Sequence, residues 1–213
     1  MASLEVFRNH IIEAPDVFDP EGVHHEFVSG MHGRKLDFGA IPTDSDLFRE
    51  WVNISAASIH RLYAGTTLGT HVLLSVANGT NDLVTPVTDV LYEEYDEKWD
   101  PLETEKISPK AVALTDESAQ FFERYNPDFV LALEDAATRG TTSASAILAA
   151  REAGARRVEA LNTWQRRPQL EELVGIGAVY YSIIHEDLPT LTPDECSASG
   201  YCAEGWRLIP HTK

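Results

Sequence analysis

The stretch that most constrains this chain runs from Asp128 to Ala155. It opens with an unbroken apolar run, Phe129-Val-Leu-Ala-Leu133, of the length expected for a strand covered on both faces of a parallel sheet. Two adjacent acids, Glu134 and Asp135, stand where that strand should end. The small-residue segment from Ala136 to Thr142 then leads into an Ala-rich helix, expected over Ser143 to Ala153 and stopped by Gly154.

A strand end, a small-residue turn and a helix N-terminus together form an anion site. Unpaired backbone N–H groups and the positive end of the helix dipole converge there. Thr138, Thr141 and Thr142 add hydroxyl donors, Gly140 lets the backbone come close, and Arg139 adds positive charge. Glu134 and Asp135 would repel a phosphate, so they must serve something beside it, such as sugar hydroxyls, a metal ion or both. The combination points to a sugar phosphate.

In order and residue type this segment resembles the phosphoribosyl pyrophosphate (PRPP) motif of type I phosphoribosyltransferases, in the version found in orotate phosphoribosyltransferases. The resemblance implies Mg²⁺-dependent transfer of ribose 5-phosphate from PRPP to an orotate-like nucleobase. Glu134 and Asp135 would act as catalytic and metal-binding acids on the ribose hydroxyls, and 138–142 would hold the 5′-phosphate.

A second stretch, His25 to Asp37, looks like the N-terminal segment of the same proteins. By that likeness Ser29, Gly30, His32, Arg34 and Lys35 would lie near base and pyrophosphate. The strand expected at His71 to Ala77 runs into the turn 78–82 and a helix over Leu83 to Leu91. There the family binds pyrophosphate, which implicates Gly79, Thr80 and Asn81. A further strand over Arg157 to Thr163 leads to Arg166, matching a family Arg near the base, while Gln165 replaces the usual acid. Residues 91–110 hold seven acids and three lysines and read as a mobile loop or hairpin. The family supplies a catalytic lysine from a basic loop here, so Lys98, Lys106 and Lys110 are the candidates, with Lys98 and Lys106 assigned the catalytic role.

Around these motifs the pattern alternates strand and helix, with a helix from Thr43 to Tyr63, another near 169–174 and a strand at Ala178 to Ile184. The expected fold is α/β, a doubly wound and mostly parallel sheet of the type I phosphoribosyltransferase kind. One domain spans 1–213, with its core at 46–185. Residues 1–45, read as irregular with short strands, and 186–213 would form a small hood.

With 34 acids against 17 Lys and Arg the net charge is −17, which argues against a nucleic-acid partner and calls for a locally basic mouth or Mg²⁺ to receive an anionic substrate. Residues 1–10 lack a basic stretch followed by an apolar core, and nothing approaches the ~18–20 apolar residues of a membrane span. The expectation is a cytoplasmic protein, with a homodimer implied by resemblance alone. Cys196 and Cys202 read as buried or loosely paired thiols, or else half of a zinc site, with His185 and His211 as candidate imidazoles. The other readings are a non-catalytic PRPP or nucleotide sensor on this fold, and a different enzyme acting on a phosphorylated sugar or nucleotide.

Overall fold

The computed structural model describes residues 3–27, 30–65, 69–77 and 79–210. Ser29 and His211, named above, and Asn78, the first residue of the turn 78–82, lie outside the described residues.

The chain begins with α1 (Leu4–Glu13), capped by the Ser3 hydroxyl, which accepts from Val6 N–H. This corrects the irregular reading of 1–45. Only Phe7 and Ile11 anchor the helix in the core, too few to register as a helical period. Two short strands follow, β1 (Val23–Glu26) and β2 (His32–Gly33). Next comes α2 (Asp46–Tyr63), capped by Ser45, which buries Phe48, Trp51, Val52, Ala56 and Ile59 at the expected helical spacing.

The central sheet contains β3 (His71–Ser75), which leads into α3 (Asn81–Tyr95), and the short β4 (Asp100–Leu102). The hairpin β5 (Thr104–Ser108) and β6 (Ala111–Leu114) stands apart from it, followed by α4 (Asp116–Tyr125), capped by Thr115. The 91–110 segment is therefore the end of a helix, an edge strand and a hairpin arm. Next are β7 (Phe129–Ala137), α5 (Thr141–Glu152), β8 (Arg157–Gln165), the short α6 (Glu171–Gly175) and β9 (Tyr180–His185). Pairing with β8 carries β7 to Ala137, so Glu134 and Asp135 lie inside the strand, and α5 starts two residues earlier than its apolar pattern indicates.

The five strands are parallel, in the order β4-β3-β7-β8-β9. Leu131 and Leu133 of β7 pack into the cluster built on α1, α2 and α3, while Val130 and Ala132 pack with α5 and Phe122 of α4 on the other face. Both faces are covered, which is why these strands read as continuous apolar runs. The order is that of a doubly wound sheet whose connections reverse direction between β3 and β7. Ligands of such sheets sit at the carboxyl ends of the two strands flanking that reversal.

The chain ends close on the carboxyl side. Strand β10 (Thr190–Leu191), α7 (Pro193–Ser199) and β11 (Arg207–Ile209) join β1 and β2 in a second sheet, ordered β10-β2-β1-β11. Segments from both ends of the sequence thus meet in this second sheet, the hood, while α1 packs on the core instead.

Candidate functional site

Alternation along β7 decides where the acids point. Glu134 continues the Val130 and Ala132 face toward α5, and Asp135 continues the Leu131 and Leu133 face toward the turn before α3. Glu134 is buried, and the Ser143 hydroxyl in the first turn of α5 donates to it. Ser143 also reaches the Asn162 side-chain oxygen (3.4 Å), and Asn162 donates to the Tyr181 carbonyl (3.2 Å). Burial pushes the Glu134 carboxyl up to about 8, with the neighbouring Asp135 adding to the rise and the hydroxyls of Ser143 and Thr142 opposing it. At neutral pH Glu134 is therefore mostly protonated, unlike the anion expected from the sequence. Asp135 accepts from Ala136 N–H (2.6 Å) and is raised only to about 6, by burial first and then by the charge of Asp37. It stays ionised at pH 7.

Asp135 lies directly across from the β3 turn. A Cβ on Gly79 would overlap its carboxylate, so glycine at 79 is what allows the approach. Thr80, fully buried, accepts from Val76 N–H (3.1 Å) and donates to the Leu133 carbonyl (2.8 Å), tying this turn to β7 just before the acids. Asn81 accepts from Ser75 (2.6 Å). Thr80 and Asn81 thus shape the turn, and Gly79 faces the crevice.

The turn after β7 makes the second half of the site. Gly140 has φ 75°, and a Cβ there would lie 2.8 Å from Leu173 Cγ, so both backbone and space demand glycine. As N-cap of α5 it offers no side-chain oxygen to the first N–H groups of the helix; Ser143 N–H turns to Glu134, and Thr138, Thr141 and Thr142 lie partly exposed around the turn. Arg139 turns outward to Glu172 (2.9 Å) and Glu171 (3.9 Å), away from this turn.

The hood supplies cations. Residues 34–37 are pinned to 17–19 by Asp19 N–H to the Lys35 carbonyl (3.2 Å) and Asp37 N–H to the Val17 carbonyl (2.8 Å). Arg34 lies 4.0 Å over the Phe18 ring and donates to the Asp19 carbonyl. Arg166, buried at the end of β8, donates to the Arg34 carbonyl (2.7 Å). The Nε of each guanidinium is buried with no partner among the described residues. Burial lowers both pKa values, opposed by Tyr201 and Asp19. Two adjacent arginines with unspent donors suit a planar anionic group. Lys35 pairs with Asp37 (2.8 Å). The His32 ring faces Cys202 Sγ at 3.4 Å, in a cluster of its own.

No family model matches the chain, and no curated protein matches its sequence. Solved structures do match. Orotate phosphoribosyltransferase of Mycobacterium tuberculosis H37Rv, in complex with inorganic phosphate, superposes with a TM-score of 0.57 at 16% identity, over 85% of this chain and 94% of that one. The Aeropyrum pernix orotate phosphoribosyltransferase gives 0.56 at 16% identity, over 83% and 92%. Leishmania donovani UMP synthase gives 0.55 at 15%, over 87% of this chain and 36% of that one. The chain has the type I phosphoribosyltransferase fold.

On this type I fold the two lysines assigned the catalytic role part company. Lys98 lines a pocket with Tyr63, Gly69 and His71, at the amino end of β3 and so at the opposite end of the sheet from Glu134 and Asp135. Lys106 is exposed on β5, whose first residue Thr104 is fastened to the carboxyl end of β3 through the Ser75 carbonyl (2.8 Å) and Ala77 N–H (2.9 Å). Gln165, at the family's acidic position, accepts from Ser182 (2.7 Å) and donates to the Arg167 (2.7 Å) and Pro168 (3.2 Å) carbonyls, fixing the turn that carries Arg166. Sequence reasoning missed Ser143 and Asn162 because each reads as an ordinary helix or strand residue. Only the register, Glu134 opposite Asn162, reveals them as partners of the acid.

Proposed function

We propose that the protein is a phosphoribosyltransferase that moves ribose 5-phosphate from PRPP to an orotate-like nucleobase. The C1′–oxygen bond to pyrophosphate breaks, a C1′–nitrogen bond forms, and the base's ring proton is lost to solvent. The observation that carries this reading is the crevice between β3 and β7. There an ionised Asp135 faces Gly79, beside a helix N-terminus without a side-chain cap. The α5 terminus and Thr138, Thr141 and Thr142 hold the 5′-phosphate. Asp135 binds ribose hydroxyls and favours the positive charge that grows on the sugar in the transition state. Glu134, oriented by Ser143, offers or accepts a hydrogen bond beside it. Arg34 and Arg166 take the acidic edge of the base.

The donor set also fits Mg²⁺. Asp135 keeps part of its surface open and is charged at neutral pH, while Glu134 is committed to Ser143, so a hydrated ion held by one carboxylate and the substrate suits the site. Mg²⁺ would supply charge neutralisation on the departing pyrophosphate. A cytoplasmic homodimer without nucleic-acid or membrane partners completes the reading. In support, no helix among the described residues is long and apolar enough to cross a membrane, and the charge is −17.

The acidic 91–110 segment favours a second reading, a PRPP sensor without transfer, because Lys106 is the one lysine assigned a catalytic role on the carboxyl side of the sheet. Calorimetric titration with PRPP and Mg²⁺, followed by pyrophosphate-release assays with orotate, uracil and purine bases, separates them. Release with one base is expected. Binding without release from any base supports the sensor, and absence of binding overturns both.

A further inference from the structure

The hood lacks what normally holds a small sheet together. No residue of β1, β2, β10, α7 or β11 belongs to either apolar core cluster. At its centre, where a core should be, stand two imidazoles and two thiols. His24 is 0% and His32 6% exposed, Cys196 is fully buried and Cys202 partly so.

We infer that His24, His32, Cys196 and Cys202 form a structural zinc site. One ligand atom from each lies within 4.8 Å of all the others. His24 Nε2 is 3.3 Å from Cys202 Sγ and 3.7 Å from Cys196 Sγ, His32 Nδ1 is 3.4 Å from Cys202 Sγ, and the two sulfurs are 3.2 Å apart. Zinc bonds of about 2.3 Å to sulfur and about 2.0 Å to nitrogen give tetrahedral edges of roughly 3.3 to 3.8 Å; the three sulfur–nitrogen contacts fall in that range, and the two sulfurs, at 3.2 Å, would move apart by about 0.5 Å to take the ion. Two thiolates and two imidazoles in a closed tetrahedron are the donor set of structural zinc, and soft sulfur disfavours Mg²⁺ or Ca²⁺.

The surroundings are built for sulfur ligands. Cys202 N–H donates to Cys196 Sγ (3.2 Å), which helps a thiolate bear its charge. Gly200 permits the tight turn between them, since a Cβ there would sit 3.0 Å from Cys196 Cα. The imidazoles come from β1 and β2, and the thiols from α7 and the turn after it, 164 to 178 residues further along the chain. One ion would therefore fasten the two ends of the chain. This explains why the cysteines lack the short spacing of a contiguous zinc motif: their partners lie in the opposite terminus. Of the imidazoles proposed from sequence, His185 is exposed on β9.

The inference is independent of the transferase reading, and its test avoids activity. The full chain, purified under reducing conditions and dialysed without chelator, should carry one zinc per molecule by elemental analysis. A mercurial thiol reagent should release that zinc in step with thiol modification. Replacing zinc by Co²⁺ should give the visible and charge-transfer bands of tetrahedral thiolate coordination. The Cys196→Ser, Cys202→Ser double variant should bind Zn²⁺ roughly 100-fold more weakly or worse and melt about 10 °C lower. Should that variant fail to fold, the mercurial and cobalt measurements on the unaltered chain decide. Protein that neither carries zinc nor takes up Zn²⁺ after reduction overturns the site. So does the loss of two hydrogens by mass, locating a Cys196–Cys202 disulfide in chain purified under nitrogen.

Discussion

Two buried glutamates on neighbouring strands are treated in opposite ways. Glu159, near the start of β8, is 2% exposed; it accepts from Tyr63 Oη (2.7 Å) and from Arg157 Nε (2.7 Å), and so has both a neutral donor and a cation. Glu134, near the end of β7, is 7% exposed and has hydroxyl donors, but another acid beside it in place of a cation. Both sit in one parallel sheet, at opposite ends. The amino end settles its charge internally, as a structural carboxylate must. The carboxyl end leaves charge unsettled, which a sequence tolerates only where something else brings the compensation. Arg34 and Arg166 repeat the pattern with opposite sign, each holding a buried donor without a partner among the described residues.

The sharpest break in this comparison is Asp135→Asn. The change keeps size and the hydrogen bond from Ala136, and Gly79 still accommodates the group. With the charge gone, kcat/KM for pyrophosphate release should fall about 10³-fold, equal to about 4 kcal/mol of transition-state stabilisation, with the melting temperature unchanged. In the unaltered chain kcat/KM should also drop below pH about 6, as Asp135 takes up its proton. Near-normal turnover in the Asn variant would remove this acid from the mechanism.

The paired glutamate should answer in stability instead. Glu159→Ala leaves the buried Tyr63 hydroxyl without this acceptor, and urea unfolding should show a loss of about 3 kcal/mol. Activity per folded molecule should be unchanged. A stability loss below the error of the measurement would mean that the amino end is no better settled than the carboxyl end.

Glu134→Gln should move stability the other way. The folded chain holds the Glu134 proton more tightly than the unfolded chain does. Stability therefore falls as pH rises from the ordinary value of 4.5 to about 8. Gln keeps an acceptor for Ser143 and cannot ionise, so it should remove that fall. It should be more stable than the parent by about 2 kcal/mol at pH 9 and equal to it at pH 4, less than the full shift would allow because a buried acid relaxes on ionising. Parallel stability–pH curves for the two proteins would show that Glu134 is not the strained group.

How much of this was legible in the sequence follows from what each feature depends on. The strands β3, β7 and β8 were readable because burial on both faces writes continuous apolar runs, and α2 because its buried face repeats at helical spacing. The turn between β7 and α5 was readable as a strand end, a small-residue turn and a helix start because Gly140 and the Ala-rich run after it mark those boundaries. What sequence could not give is what pairing and packing decide. Register brings Asn162 opposite Glu134, tertiary contact rather than periodicity makes α1 a helix, and His24 and His32 meet Cys196 and Cys202 only because the termini share a sheet. The 91–110 segment shows the same limit. Its charges suggested a mobile loop or hairpin; the hairpin forms from Thr104 onward, while the helix end at Tyr95 and the edge strand that buries Leu102 left no mark in that charge pattern.

The smallest expected effect is also the most discriminating between the lysines. Lys98 is separated from the acids by the length of β3, so Lys98→Ala should leave kcat/KM within about 2-fold. Lys106, on an exposed arm rooted at the carboxyl end, can approach a pyrophosphate only if the hairpin bends toward the crevice. Its charge is opposed by Glu103 and Glu105 on the same arm. Lys106→Ala should therefore cost about 5-fold in kcat/KM, an effect that shrinks with added salt as expected for an exposed charge. A large loss for Lys98→Ala with none for Lys106→Ala would place the chemistry at the amino end of the sheet and invert the contrast between the two glutamates. Equal and negligible effects would show that neither lysine meets the departing pyrophosphate, which is what the sensor reading expects.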